Sequence, residues 1–269
     1  VFLYDCPDGV DASDGTAPLN SSAYFARLGQ RYISALGAST GEGRLYEVDM
    51  RLRPSGTSGP IASSLESWVP YQREKAWTFE HMALTRARVV AGPSDFAKEI
   101  EGYIQSILSA PRDPAALVRD VAEMRAKIEA GHASVNPWRV KYVRGGLIDV
   151  EFIVQYLTLL YANEDPDVLT PLATADAIAT LKATEALTVE ESLALAKAAM
   201  LYRNVQNFLR QCFQNDFNPD VAPSGLREAL ARAAGAESFE ALEKQLVRTQ
   251  VAVWDLFKAT ISDPAENAD

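Results

Sequence analysis

Apolar residues recur every three to four positions along most of this chain, the spacing of helices with one buried face. Phe25, Leu28, Tyr32 and Leu36 set the first such stripe, with Asn20-Ser21-Ser22 as its cap and Gly37 as its stop. Two further helices are predicted at about 64 to 71 and 73 to 90, the second stopped by Gly92-Pro93. Helical spacing then dominates, over about 95–109, 114–130, 147–161, 171–184, 190–215, 226–234 and 239–261. Thr188 with Glu191 reads as a capping box, and Thr170-Pro171 as a cap followed by proline at the first helical position. Period-two alternation is confined to Arg44–Arg53, which reads as a strand, while Val1-Phe2-Leu3-Tyr4 reads as a strand already under way. Between them, residues 5 to 20 carry Asp5, Asp8, Asp11 and Asp14 with prolines and glycines, a solvated loop.

These elements predict an α+β protein, mostly helical, with a small α/β part over 1–93 and an all-helical bundle over 94–269. Charge narrows the functions open to it. With 26 Lys+Arg against 36 Asp+Glu, the net charge is −10, a poor surface for non-specific nucleic acid or anionic lipid. No run of about 20 apolar residues predicts a membrane span. Cys6 and Cys212 make no disulfide framework and His81 and His132 no HExxH spacing, so a reducing, cytoplasmic setting without a zinc site is expected. The chain opens on Val1 rather than Met, so residues are expected upstream.

On the alternating stretch, Tyr46, Val48, Met50 and Leu52 would share one face, and Glu47, Asp49, Arg51 and Arg53 the other. A strand with one wet face has the same pattern. Here, however, the stretch runs into Pro54-Ser55-Gly56-Thr57-Ser58-Gly59, whose amides and hydroxyls suit phosphate oxygens. Arginine forks suit phosphate, and a carboxylate suits Mg²⁺. Asp49 is thus a candidate metal ligand and catalytic carboxylate, and Arg51, Arg53, Ser55 and Gly56 are candidate nucleotide contacts. One carboxylate does not make a two-metal site.

Leu45-Tyr46-Glu47-Val48-Asp49-Met50-Arg51-Leu52-Arg53-Pro54-Ser55-Gly56 resembles the signature of the glutamine synthetase adenylyltransferases. Ser63-Ser64-Leu65, Tyr71-Gln72, Ala76-Trp77-Thr78-Phe79-Glu80-His81, Ala83-Leu84 and Arg86-Ala87-Arg88 continue the resemblance in register, and the Gly145–Leu157 stretch resembles a second signature. The resemblance is clear up to about Tyr161. It implies a partial polymerase-β-like nucleotidyltransferase domain followed by the bundle, acting on ATP with two Mg²⁺ ions. Asp49 would match the third of three metal carboxylates, the other two lying upstream of Val1. Arg51 and Arg53 would neutralise phosphate charge. The implied reaction moves AMP from ATP to a tyrosine of glutamine synthetase, with this chain inactive alone. Implied partners are glutamine synthetase and the PII signalling protein, with glutamine as effector. The wording of Arg53–Gly56 and of Glu74-Lys75-Ala76-Trp77 resembles the AMP-adding, C-terminal half of these bifunctional enzymes.

Trp77, Glu80, His81, Leu84 and Arg88 share a helical face, which a packed helix with an internal ion pair explains as well as a nucleotide contact by Arg86 or Arg88. Asp149 and Glu151 open a helix, where carboxylates suit the positive end; with Arg88, Lys141 and Gln155 they are also candidates to line a cleft. Phe152, Tyr156 and Leu160 read as core, as do Met200, Leu201, Val205, Phe208, Leu209, Cys212 and Phe213. A non-catalytic helical module that binds a partner is the rival reading, and a PII uridylyltransferase or an AMP-removing enzyme are two more.

Overall fold

The computed structural model describes every residue except 8, 45, 171–172, 214–215 and 269. It divides into two compact units, which the chain enters twice each: unit 1 holds 1–80 and 91–103, unit 2 holds 81–90 and 104–269.

Unit 1 is built on a small parallel pair, β1 (Phe2–Tyr4) with β4 (Ala62–Ser64), in the register Phe2 to Ala62 and Tyr4 to Ser64. Helix α1 (Ser21–Leu36) lies on this pair, capped by the Asn20 carboxamide 2.9 Å from the Ala23 amide. The close approach requires Gly29, where a Cβ would stand 3.0 Å from Ile61 and 3.4 Å from Phe2. Tyr4 stacks on Phe25, and Phe2 meets Tyr32 edge-on. Helix α2 (Leu65–Glu74) starts at the Ser64 cap and buries Leu65, Trp68 and Val69.

The expected strand over 44–53 does not form. Only Ser39–Thr40 (β2) and Gly43–Arg44 (β3) pair, as a two-residue antiparallel hairpin. Beyond it, 46–50 has no regular structure and 51–55 turns. Leu45 lies outside the described residues. A strand exists by pairing its backbone groups, and no described strand runs beside this segment. Tyr46 and Leu52, expected on a covered face, are 57% and 47% exposed.

The helix expected over 73–90 is likewise shorter. Helix α2 runs on to Glu74, and α3 spans only Thr78–Leu84. The break falls at Lys75–Trp77, where the Lys75 and Ala76 amides both bond the Tyr71 carbonyl and close α2. Helix α4 (Ser94–Leu108) follows.

Unit 2 is a helical bundle: α5 (Pro114–His132), α6 (Leu147–Tyr161), α7 (Thr174–Ala183), α8 (Val189–Cys212), α9 (Ser224–Ala234), α10 (Phe239–Phe257), a π-helical turn (Lys258–Ser262) and α11 (Asp263–Glu266). Helix α6 is the centre, packed by α5, α7, α8 and α10. It is buried on nearly every side, through Ile148, Val150, Phe152, Ile153, Val154, Tyr156, Leu157 and Leu159. The Thr188–Glu191 capping box is present, with the Glu191 carboxylate 2.9 Å from the Thr188 amide. Pro171 and Asn215, expected at helix ends, lie outside the described residues. Two residues expected in the core are not there: Met200 is 62% exposed, and Cys212 is an exposed free thiol at the end of α8. Met200 falls on the side of α8 opposite its buried Ala198, Leu201, Tyr202 and Val205, whereas Cys212, seven positions beyond Val205, shares their side and is exposed because it is the last residue of the helix. No described helix is long and apolar enough to cross a membrane.

Candidate functional site

In unit 1 the residues Asp49 to Gly59 form a loop that holds itself together through its own arginines. Asp49 and Arg51 make a bidentate pair: Arg51 Nη2 donates to Asp49 Oδ2 at 2.7 Å, Nε lies 3.0 and 3.1 Å from the two oxygens, and the Arg51 amide donates to Oδ1 at 2.9 Å. These bonds hold the Asp49 carboxyl well below its ordinary value of 3.8, at about 2. Both side chains stay open to solvent, so the pair is cheap to separate.

Arg53 is turned inward on the loop. It donates to the carbonyls of Gly59 (3.0 Å), Met50 (2.8 Å) and Thr57 (3.1 Å). Its guanidinium thus serves to fold the loop, and it is only partly available to a phosphate. Ser55 takes the left-handed conformation (φ 62°) and Gly56 follows it (φ 56°), a conformation that costs a non-glycine residue about 1–2 kcal/mol. Gly59 is demanded by contact, since a Cβ there would stand 1.9 Å from the Pro54 carbonyl oxygen.

Ser55 opens on a pocket of about 350 Å³, lined also by Ser63, Ser67, Tyr71, Glu74, Lys75 and three prolines. The Tyr71 hydroxyl donates to Glu80, 3.1 Å from each carboxylate oxygen, and Glu80 also accepts from the Trp77 amide at 2.9 Å. Burial pushes the Tyr71 phenol up, the polar Ser55 backbone opposes, and the Glu80 charge adds to the rise.

In unit 2 the Gly145–Gln155 stretch is anchored by a buried ion pair. Asp149 is 0% exposed and bonded to Arg125, itself 2% exposed. It accepts also from the Gly145 amide at 2.6 Å, and Tyr202 donates to the Gly145 carbonyl at 2.6 Å. Burial pushes the Asp149 carboxyl up against the opposing pull of Arg125. A Cβ on Gly145 (φ +73°) would stand 1.7 Å from the Gln250 carbonyl oxygen. Asp149 therefore lines no cleft: it points into the bundle because only there can it hold Arg125 and the glycine turn. Glu151 and Gln155 do meet, in a shallow depression with Thr85, Arg86 and Thr158, and Arg86 donates to Glu151 at 3.0 Å. Arg88 is exposed, and Lys141 lies over the Tyr142 ring at 5.0 Å.

Residues 1–102 match the glutamate-ammonia ligase adenylyltransferase family model, and 117–261 match that of GlnD PII-uridylyltransferase. Bifunctional glutamine synthetase adenylyltransferase/adenylyl-removing enzymes from Rhodopseudomonas palustris (strain TIE-1) and Bradyrhizobium diazoefficiens are each 42% identical over 97% of this chain, and that from Xanthobacter autotrophicus is 41% identical over 99%. The chain belongs to the glutamine synthetase adenylyltransferase/adenylyl-removing enzyme family. It spans about a quarter of the length of these relatives, 26% of the first two and 27% of the third.

For a member of this family, the arrangement in unit 1 is informative in what it joins. Asp49, Arg51, Arg53, Ser55 and Gly56 sit on one loop, as the sequence pattern placed them, but as a self-bonded turn rather than a strand edge. No three His, Cys, Asp or Glu side chains come together as a metal site among the described residues. Asp49 by itself does not make a two-ion centre, which needs further carboxylates beside it. Tyr71 and Glu80 are the residues that reading by spacing missed as a pair. They stand nine positions apart across a helix break, and the signal was there: both fall within the stretches that carry the resemblance.

Proposed function

We propose that the intact protein transfers AMP from ATP to a tyrosine hydroxyl of glutamine synthetase, and that this chain supplies the nucleotide loop and the helical bundle of the AMP-adding half. The observation that carries this reading is the 42% identity over 97% of the chain to relatives named as bifunctional adenylyltransferase/adenylyl-removing enzymes. The Arg53–Gly56 and Glu74–Trp77 wording supports the adding half. In the reaction, the tyrosine oxygen bonds to the α-phosphorus of ATP, the bond to the bridging oxygen breaks, and pyrophosphate leaves. Asp49 and Arg51 part readily, since both are solvent-exposed, and Arg51 then faces phosphate charge while Arg53 keeps the loop shaped around Ser55 and Gly56. Mg²⁺ is the expected companion of ATP, with Asp49 one contribution to its binding. Glutamine synthetase, PII and the effector glutamine are the proposed partners, in the cytoplasm.

Intact mass spectrometry of glutamine synthetase after incubation with ATP and Mg²⁺ tests this. The full-length protein should add AMP, Asp49→Ala should slow the addition about a hundredfold or more, and the 269 residues alone should add none. No addition by the full-length protein would sink the reading, and addition by these 269 residues alone would sink the expectation that they are inactive by themselves.

The match of 117–261 to a PII-uridylyltransferase model favours one second reading, that the bundle is a partner-binding module shared by two kinds of nucleotidyl-transferring enzyme. Transfer of UMP from UTP to PII, with no transfer of AMP, would move the assignment to the uridylyltransferases.

A further inference from the structure

A pocket of about 350 Å³ adjoins the Asp49–Gly59 loop at Ser55. The loop walls it on one side, through Pro54, Ser55 and Pro60, and one face of α2 walls it on another, through Ser67, Pro70, Tyr71 and Glu74 at helical spacing. The opposite face of α2 is the one that packs, through Leu65, Trp68 and Val69. A proline inside a helix gives up a backbone hydrogen bond, and Pro70 stands on the pocket face, where packing of α2 does not account for it. Ser63, on β4, lines the pocket while only 4% exposed, and among the described residues its hydroxyl has no hydrogen-bond partner. Buried polar groups are nearly always bonded, so a hydroxyl left over on a pocket wall is a bond that a ligand can complete.

Charge decides which part of a ligand belongs here. Among the described residues that line the pocket, the charged ones are Glu74 and Lys75, adjacent and opposite in sign, and neither Arg51 nor Arg53 is one of them. A polyphosphate therefore finds no net positive charge in it. An uncharged group with a flat ring and hydrogen-bonding edges does find a match: the prolines and Tyr71 give apolar surface, and the serines give hydroxyls. The volume lies near the lower end of small-molecule sites, room for one nucleoside. We propose that this pocket seats the adenosine moiety of ATP, with the phosphates on the Ser55–Gly56 turn and the Ser63 hydroxyl bonded to the nucleoside. Ser55 belongs to both the turn and the pocket wall, so two covalently joined parts of one ATP would meet adjoining surfaces. The proposal rests on the nucleotide reading of the loop, and it assigns no bond-making role to Ser63, Ser67 or Pro70.

Binding is read first on this chain, with adenosine as the probe, because adenosine has no phosphate with which to bind the loop. Adenosine should move the Ser55, Ser63, Ser67 and Tyr71 amide resonances in ¹⁵N spectra and leave those of unit 2 in place. Ser67→Trp, which fills the pocket from its exposed rim, should abolish the shifts. Absence of those shifts in the unmutated chain would overturn the proposal. So would shifts with N-acetyltyrosinamide but not with adenosine, which would give the pocket to the acceptor tyrosine instead. The kinetic half uses the full-length protein. Ser63→Ala, which changes the side chain by one oxygen, should raise KM for ATP about fivefold, the scale of one hydrogen bond. Ser67→Trp should raise it about tenfold or more. In both variants kcat, KM for glutamine synthetase and the unfolding temperature should stay nearly unchanged. A rise in KM for glutamine synthetase alone, or a fall in kcat with both KM values unchanged, would overturn the assignment. Full-length protein that transfers no AMP at all would defeat the proposed function instead, and the adenosine shifts would still decide the pocket.

Discussion

Asp49 and Asp149 are both carboxylates bonded to an arginine, and their surroundings give them opposite consequences. Asp49 is solvated, so its bonds to Arg51 act without a burial penalty and draw its pKa down to about 2. A group whose folded value lies below its unfolded value adds stability above the ordinary carboxylate range and loses it as pH falls toward the folded value. For Asp49 that window runs from 3.8 down to about 2. Exposed pairs contribute only about 0–1 kcal/mol, so the titration is the sensitive probe. The carboxyl carbon of Asp49 should titrate near 2 by NMR, and in Arg51→Ala near 3.8; an unchanged midpoint in that variant would show that Arg51 is not the cause. Asp149 is buried with Arg125, where removing Asp149 leaves the guanidinium its more distant Glu129 partner at 3.6 Å and no buried carboxylate beside it. Asp149→Ala should therefore destabilise unit 2 by about 3–5 kcal/mol in urea unfolding. A loss below about 1 kcal/mol would mean that water reaches Arg125 and the site is less closed than its 0% exposure implies.

At the level of elements, helices that carry their own signals were legible and the one solvent-edge segment was not. Helix α6 runs from Leu147 to Tyr161, as its spacing predicts, because both its ends and its apolar positions are local properties. Helix α8 is set by a cap that can be read directly from Thr188 and Glu191. Thr188→Ala should lower the stability of unit 2 by about 1 kcal/mol, and a calorimetric shift confined within error would show that α8 is held by packing alone. The segment 44–53 had strand spacing but needed a neighbour to pair with, which is not a property of the segment. Without one among the described strands, its charged residues turned to bonding one another and the backbone. The same limit applies to the site. Residue types and order placed Asp49, Arg51, Ser55 and Gly56 on one stretch. That Arg53 would face inward, and that Tyr71 and Glu80 would meet across the break at Lys75–Trp77, depends on packing that spacing does not encode.

On the scale of the whole chain, the two units are not two consecutive stretches. Residues 81–90 belong with unit 2, although they precede the return to unit 1 at 91–103. What ties them there is specific. Met82 is 1% exposed, His81 is 8% exposed with its Nδ1 3.0 Å from Arg112 Nη1, and Arg86 reaches Glu151. A cut at 93/94, where the composition changes, would therefore strip unit 2 of a buried methionine and leave Arg112, already poorly solvated, without its imidazole neighbour. Burial pushes the Arg112 pKa down, which marks how little water reaches it. Losing a buried methionine alone costs about 2–5 kcal/mol. A fragment spanning 78–269 should therefore unfold at a distinctly higher urea midpoint than one spanning 94–269, by a difference of at least about 2 kcal/mol after extrapolation. The contrast isolates the segment, because both fragments keep α4 and the entire bundle. Equal midpoints would show that α3 contributes nothing to the bundle, and that its buried residues serve unit 1 instead.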